Sequence, residues 1–515
     1  MLILIIDESQ LVDKCFLPLD AVLYYSCMHP KISKRRKQAQ LTFIYALMVV
    51  VIAVSVTILL LLIQGYRYNR FDGKVEQGGL MQFDSAPDGA DVTLDVVRLA
   101  NKTPSKITAT ADTHTVTISK DGYEPWQKQV IVKPGGVLWL NYATLFPKAP
   151  VQDAVVSTSS VSSLVASPNN SQLAYTSSST DPVVVVADIN ADVFAPRALR
   201  LPAGILSIAP EGQPQILRVK EWSRDNQFVL VSHDFGDTTE YLVVDSRAPD
   251  EARNISKELG VVARDVAFAY GDSNTLYILT VSHELRQVNI AERTLSGPLL
   301  TNVASFSQFD RSTIEFATLP DANGVRQVGY LTPSTARAKI LRTFNADTSQ
   351  AFMARFGRYY NKNYLLVVQG SRVEILTGDI PSSSSTEPLS WKTITVFESP
   401  GAEFIGFSPG GNRFAYVQHG TSLTVYDLEL SIASKVTLPA ANGRRIDWVD
   451  PYHIATSTGA KVMFSDFDGT NAVTVAAKDA ANLPVVFSSN GKYVYHTSVS
   501  AGAASLIRTK LVVGS

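Results

Sequence analysis

The pattern of apolar and polar positions divides the chain into one uniformly apolar stretch near its beginning and a long remainder of short alternating segments. Residues 41–63 contain no charged residue, no proline and no glycine. A helix of these 23 residues is about 35 Å long, enough to cross a hydrocarbon layer of roughly 30 Å. We therefore predict a transmembrane helix at 41–63, with the lipid bilayer as its partner.

A buried core helix and a cleaved secretory signal are the alternatives. The rest of the chain reads as strands, which leaves no helical domain to bury such a helix, and the apolar run is longer than a signal's hydrophobic region. More basic residues precede the stretch (Lys31, Lys34, Arg35, Arg36 and Lys37) than follow it (Arg67, Arg70 and Lys74). The positive-inside rule then predicts a cytoplasmic amino terminus and an exported carboxy-terminal part.

The flanking segments complete this layout. Residues 1–40 are predicted to be a cytoplasmic basic head, whose true start is either Met1 or Met28, since the stretch from Met28 has the short basic form of a signal anchor. Residues 64–79 are polar and punctuated by glycine, which is typical of a linker.

Residues 80–146 alternate with the period of half-buried strands, as in VTLDV, HTVTISK and KQVIVK, and the turns are PDGA, NKTP, KDGY and KPGG. A small antiparallel β-sandwich or β-barrel is predicted. The segment resembles a PEGA domain, with Pro87, Asp88, Gly89 and Ala90 at the tetrapeptide and Thr103 and Pro104 further on. Asp88 replaces the family's glutamate, and no glycine precedes Thr103. The resemblance implies an envelope-exposed spacer or adhesion-type module without catalytic residues.

Residues 147–515 repeat a unit of short strands joined by polar turns. The last apolar residues of the first strand in each unit recur every 39 to 56 positions, at Ala166, Trp222, Phe268, Phe309, Phe356, Phe407, Trp448 and Phe487. This period is typical of four-stranded propeller blades.

The units resemble the TolB and WD40-like propeller families, whose FSPDG-type turn corresponds to FSPGG at 407–411 and ASPNN at 166–170. Eight blades are preferred, and seven remain open because the unit around Phe309 is weak. The final unit lacks its outer strand, and we predict that a segment within 149–157 supplies it. The fold class is thus mainly β: one transmembrane helix, a PEGA-like sandwich, and a seven- or eight-bladed β-propeller.

Composition excludes two classes of function. The formal net charge is −1, so no basic field favours nucleic acid. Both cysteines, Cys15 and Cys27, precede the apolar stretch, so the predicted exported part forms no disulfide or thiolate metal site.

Candidate chemistry is sparse. GFSPG around Ser408 matches the nucleophile elbow of serine hydrolases, but a strand rather than a helix is predicted to follow it. SDFDGT places Asp466 and Asp468 as possible calcium ligands, yet its glycine and its twelfth position do not fit an EF-hand loop, so a tight turn is favoured.

The histidines beyond the span are spread one to a module and show no zinc-ligand spacing; they are His114, His233, His283, His419, His453 and His496. Four of them (His233, His283, His419 and His496) fall near the ends of second strands and could lie close together around a ring. We predict no catalytic residue, no metal site and no cofactor.

The sequence therefore predicts a membrane-anchored, outward-facing, non-enzymatic binding or scaffolding protein of the cell envelope. An envelope protein or polysaccharide would bind at a propeller face, where loops converge. The alternative is a propeller-type hydrolase or lyase, or a gating subunit of a peptidase. Two neighbouring carboxylates in the channel mouth would favour a glycosidase, and an apolar lining with serine or threonine would favour binding.

Overall fold

The computed structural model describes residues 34–63, 65–69, 74–156, 160–177, 182–345, 351–380, 391–438, 446–457, 461–477, 483–500 and 503–513. Most of the predicted basic head, with both candidate start positions, lies outside these residues. Helix α1 (Lys34–Ile63) confirms the predicted helix. Its segment Gln38–Ile63 is long and apolar enough to span a membrane. The side chains of this segment are exposed, which excludes a buried core helix.

The chain divides into two compact units, Met1–Gln77 and Gly78–Ser515. In the first unit, β1 (Tyr66–Asn69) pairs antiparallel with the beginning of β2 (Lys74–Ala86). The linker predicted at 64–79 thus contains strand residues. Its glycines misled the prediction because they serve close packing: a Cβ at Gly79 would lie 2.5 Å from a methyl group of Val132.

The second unit begins with a sandwich of two sheets, in which β2 joins six further strands: β3 (Asp91–Leu94), β4 (Val97–Arg98), β5 (Ser105–Thr110), β6 (Thr113–Ser119), β7 (Trp126–Ile131) and β8 (Val137–Thr144). One sheet runs β4-β3-β6-β7, and in the other β2 pairs with both β5 and β8. The β2–β8 pair is parallel, which departs from the predicted antiparallel pairing at this pair. The core lies between the sheets and contains Met81, Phe83 and Trp126.

The predicted PDGA turn is tied to Thr103. The backbone N–H of Gly89 donates to the Thr103 carbonyl (2.8 Å), and the N–H of Ala90 donates to the Thr103 hydroxyl (2.9 Å). That hydroxyl also lies 2.6 Å from the hydroxyl of Ser85. Gly89 has φ +74°, which a side chain would disfavour. The two separated motifs thus form one folded feature.

Eight four-stranded antiparallel sheets follow in the described part of the chain. Sheet 1 contains β10 (Val161–Ala166), β11 (Gln172–Ser177), β12 (Val183–Asp188) and β13 (Arg197–Arg200), and sheet 2 contains β14 (Gln215–Trp222), β15 (Phe228–Phe235), β16 (Thr238–Asp245) and β17 (Arg253–Asn254). Sheet 3 contains β18 (Ala263–Ala269), β19 (Asp272–Thr280), β20 (Leu285–Asn289) and β21 (Thr294–Leu295), and sheet 4 contains β22 (Val303–Asp310), β23 (Thr313–Thr318), β24 (Val325–Thr332) and β25 (Arg337–Asn345). Short helical segments occur at Pro249–Glu251, α2 (Ile255–Leu259) and Pro333–Thr335.

Sheet 5 contains β26 (Phe352–Tyr359), β27 (Lys362–Gln369), β28 (Arg372–Gly378) and β29 (Lys392–Glu398), and sheet 6 contains β30 (Phe404–Phe407), β31 (Phe414–His419), β32 (Ser422–Asp427) and β33 (Ile432–Thr437). Sheet 7 contains β34 (Asp447–Trp448), β35 (His453–Ser457), β36 (Lys461–Asp466) and β37 (Val473–Ala477), and sheet 8 contains β38 (Val486–Phe487), β39 (Tyr493–Ser500), β40 (Ala503–Lys510) and β9 (Val151–Val156). Each of the eight predicted anchor residues lies in the first strand of its sheet.

Sheet 8 combines the two ends of the repeat region. Strand β9 pairs antiparallel with β40, from Val151 opposite Lys510 to Val156 opposite Leu506. The predicted closing strand is therefore confirmed. Apolar cores are shared by consecutive sheets, and sheet 8 shares one with sheet 1, where Tyr495 packs with Leu164. The eight-bladed interpretation itself stays a prediction.

Candidate functional site

The most unusual side chain in the described structure is Lys128, a buried lysine on β7. Strand β7 buries alternate residues, so Trp126, Lys128 and Val130 point inward while their neighbours are exposed. Lys128 is 8% exposed, and its ammonium group reaches the turn after β36. The sandwich and sheet 7 meet at this point.

The ammonium group of Lys128 is enclosed by acceptors from that turn. Its Nζ donates to Asp466 Oδ2 (2.9 Å), to Asp468 Oδ1 (3.0 Å) and to Thr470 Oγ1 (3.1 Å). Burial alone would lower the pKa of Lys128, but Tyr142 and the two carboxylates raise it above its ordinary value. For Asp468, burial would raise the pKa, but Lys128 and Thr470 lower it. Lys128 and Asp468 therefore stay ionised and paired at neutral pH.

Aromatic rings seal this ion cluster. Tyr142, on β8, stacks on Tyr452 with centroids 4.6 Å apart, and burial raises its pKa to about 12. Trp126 Nε1 donates to Asp466 Oδ2 (3.1 Å). His453 Nδ1 lies 2.6 Å from Asp450 Oδ2. We call Lys128, Asp466, Asp468 and these rings the docking cluster.

The docking cluster includes both carboxylates of the SDFDGT segment. The segment is a tight turn with Gly469 at φ +79°. Its carboxylates bind an ammonium group of the same chain, and the described residues contain no group of three or more histidine, cysteine, aspartate or glutamate side chains that could hold a metal ion. Lys128 was missed from the sequence although the alternation WQKQVIV already placed it on the inward face.

A cleft of about 380 Å³ opens beside the docking cluster, between β7 and β8 of the sandwich and β32 and β33 of sheet 6. Its floor contains Tyr142, Phe467 and the ion pair of Arg413 with Asp427, whose Nη2 and Oδ2 atoms are 2.8 Å apart. Its walls are mostly apolar and partly exposed.

A second pocket, of about 540 Å³, lies where the first strands of sheets 1, 6, 7 and 8 end. We call it the inner-strand pocket. Its described lining is mainly apolar and includes Val165, Phe407 and Phe487. Asp447, the only carboxylate in the part of the lining that the structure describes, accepts a hydrogen bond from the Val485 backbone N–H (3.1 Å).

Ser408 does not form a nucleophile elbow. It is buried and is followed by a turn and strand β31, as the sequence predicted. Its hydroxyl accepts a hydrogen bond from the Phe414 N–H (3.2 Å). The equivalent serines Ser167, Ser223 and Ser488 accept the same bond in sheets 1, 2 and 8. Ser408 is therefore a turn-forming residue.

The four histidines near the ends of second strands each have a separate local partner. His233 Nδ1 lies 2.7 Å from Glu240 Oε1, His283 Nδ1 lies 3.0 Å from the Val303 carbonyl, and His496 Nε2 lies 3.0 Å from the Thr509 hydroxyl. His419 Nδ1 is 3.6 Å from Glu403 Oε1. His114, in the sandwich, contacts Asp95. These histidines do not converge on a common site within the described residues.

Residues 79–145 match the model of the PEGA domain. This segment is a PEGA domain. No curated protein matches the chain. Among solved structures, the chain is similar to the Dos1 propeller, at 12% identity and a TM-score of 0.45 over 70% of this chain and 94% of that chain.

Two further similar structures are the β-propeller domain of Cps50 (Swd1) from Myceliophteria thermophila and an oligogalacturonate lyase from Vibrio parahaemolyticus. The first has 10% identity and a TM-score of 0.41 over 69% of this chain and 99% of that chain. The second has 11% identity and a TM-score of 0.35 over the same shares. The four-stranded antiparallel sheets are consistent with a β-propeller, and we use that word for this region below, without a blade count. The apolar helix is compatible with a membrane anchor or a signal sequence.

Proposed function

We propose that this protein is a membrane-anchored, outward-facing, non-enzymatic binding or scaffolding protein of the cell envelope. The segment Gln38–Ile63 would span the bilayer with the amino terminus in the cytoplasm, and the PEGA domain and propeller would be exported. An envelope protein or polysaccharide would bind at the inner-strand pocket.

The lining of the inner-strand pocket carries the proposal. Glycoside hydrolysis ordinarily needs two carboxylates that flank the scissile bond. The described lining contains one, Asp447, and a backbone N–H already binds it. Apolar and aromatic walls with a few polar groups are typical of binding sites. This composition favours recognition over hydrolysis.

The partner site can be tested with charges on the pocket rim. Pro168 and Pro409 are exposed and line the inner-strand pocket, so aspartate at both positions leaves the core intact. We expect Pro168→Asp/Pro409→Asp to reduce the amount of the partner recovered with full-length protein from crosslinked envelopes by about tenfold or more, because a buried unpaired charge weakens binding. Ile208→Asp, on an exposed side chain outside the pocket, is the matched control. Equal recovery with both variants would contradict the proposed site.

Orientation needs a separate test, and the cysteine distribution supplies one. Both native cysteines precede the apolar helix. A membrane-impermeant maleimide should therefore label Ile208→Cys in intact cells, whereas wild type, which has no cysteine after the helix, should gain no label in intact cells. Labelling of Ile208→Cys only after permeabilisation would reverse the proposed topology.

A further inference from the structure

The cleft beside the docking cluster concentrates exposed apolar side chains. Ile131 and Trp139 of the PEGA domain and Ile432 of the propeller line it with 66%, 51% and 54% of their surfaces exposed. Val137 and Leu430 add to the same surface. Contiguous exposed apolar surface rimmed by polar groups is typical of an interaction site.

The two walls present different parts of the backbone. On the propeller side, alternate residues Leu430, Ile432 and Ser434 line the cleft, so a strand face is presented. On the PEGA side, all residues of 128–133 and 136–140 line it, so the edges of the strands are presented. Strand β8 pairs only with β2, and β7 only with β6, within the described residues. A free strand edge beside an apolar face is a template for one more strand.

We propose that this cleft binds an extended peptide segment of a protein partner, which adds as a strand to the free edge of β8 and places alternate apolar side chains on Trp139, Ile131 and Ile432. The five lining residues 136–140 correspond to a bound strand of about five or six residues. Main-chain hydrogen bonds would supply affinity and the alternate side chains specificity.

The charges of the cleft indicate an acidic residue in the partner. Lys128 and Arg413 are matched by Asp468 and Asp427 within the chain. Lys133, which also lines the cleft, is exposed and has no ion pair among the described residues. A carboxylate at one end of the bound strand would complement it.

The cleft is also continuous with the PEGA–propeller interface. Lys128 and Asp468 belong both to the docking cluster and to the cleft lining. The walls are therefore held in place before a partner arrives, which lowers the ordering cost of binding. The cleft is separate from the inner-strand pocket, so an experiment can disprove binding at one of these sites without disproving binding at the other.

The test uses full-length protein in nanodiscs and a fluorescent peptide of about seven residues that alternates valine and threonine and ends in glutamate. We expect fluorescence anisotropy to show binding, and Ile432→Asp to weaken it about tenfold or more. Ile208→Asp should leave it unchanged, and unchanged urea midpoints would show that both variants fold. A peptide with one N-methylated backbone amide in its centre should bind about tenfold more weakly, because it cannot complete the ladder.

Charge reversal tests the acidic residue. A peptide ending in lysine should bind wild type more weakly than the glutamate peptide, and Lys133→Glu should invert that order. The proposal is overturned by no binding at about 1 mM peptide, by equal binding of the N-methylated peptide, or by indifference to Ile432→Asp. Quenching by brominated lipid that is lost in Trp139→Phe would place the cleft against the bilayer and would also overturn it.

Discussion

Four serines that directly follow a first strand show how a catalytic motif can arise from a structural repeat. Ser167, Ser223, Ser408 and Ser488 each accept a backbone N–H from the beginning of the second strand. The glycines that complete the elbow pattern around Ser408 have no counterparts in the other three turns. A motif of this kind indicates chemistry only where its structural context is also present.

Ser408→Ala should therefore lower the free energy of unfolding by about 1 kcal/mol, the value of one lost hydrogen bond. Ser488→Ala, at the equivalent turn, should have the same effect in urea titrations. A fluorophosphonate probe should not label wild type at Ser408, because its side chain is buried. Labelling at Ser408 that Ser408→Ala abolishes would restore the hydrolase interpretation.

Lys128 marks the limit of prediction for single residues. Alternation along β7 places it on the inward face, but nothing in the sequence indicates that Asp466 and Asp468, more than 300 positions away, are its partners. Likewise, the repeat period predicted the first strand of every sheet, because it depends on local alternation. The parallel β2–β8 pair and the packing role of Gly79 depend on segments distant in sequence, so local patterns could not predict them.

Neighbouring sheets are joined by a recurring polar contact as well as by apolar packing. A side chain of one sheet accepts an N–H from the first strand of the next sheet or from the residue directly before that strand: Ser163 from Val219, Glu221 from Phe268, Glu315 from Phe356, Gln418 from Ile446 and Asp447 from Val485. These contacts satisfy inner-strand backbone groups that would otherwise be buried without partners.

Glu221 makes one of these contacts sensitive to pH. Burial raises its pKa to about 7, although the Phe268 N–H opposes the shift. Because the folded-state pKa lies above the ordinary 4.5, its contribution to stability is fully present below about pH 4.5 and is lost as the pH rises through about 7. Glu221→Gln keeps the acceptor oxygen and removes the titration. Between about pH 5 and about pH 8, the unfolding free energy of wild type should therefore fall relative to that of Glu221→Gln.

Glu240→Gln is a control of opposite sign. Burial would raise the pKa of Glu240, but hydrogen bonds from Ser207, Asn254 and His233 lower it. The stability contributed by Glu240 is present at neutral pH and is lost on acidification. The unfolding free energy of wild type should therefore rise relative to that of Glu240→Gln as the pH rises. The assignment to Glu221 would be refuted if the difference in unfolding free energy from wild type changed with pH in the same direction for both variants.

Strand β9 closes the ring, and adjacent positions in it provide a matched pair. Successive N–H groups of an antiparallel strand point to opposite sides, so only one of Asp153 and Ala154 directs its N–H to β40. Of Asp153→Pro and Ala154→Pro, one should lower the free energy of unfolding by at least about 1 kcal/mol more than the other. Equal urea midpoints would mean that β9 contributes little to closure.

The PEGA domain and propeller belong to one compact unit, Gly78–Ser515, and the docking cluster joins them through a buried ion pair. Removing one partner of a buried ion pair leaves an uncompensated charge, which costs about 3–5 kcal/mol. Lys128→Met should therefore destabilise the chain by about that amount. It should also turn a single calorimetric unfolding transition into two, since the smaller domain loses its support. Lys133→Met, at an exposed lysine just after the same strand, should do neither.

Adding Asp466→Asn and Asp468→Asn to Lys128→Met removes the unpaired charges and should recover part of the loss. If Lys128→Met and Lys133→Met unfold alike, the two domains are joined by apolar contacts rather than by the docking cluster.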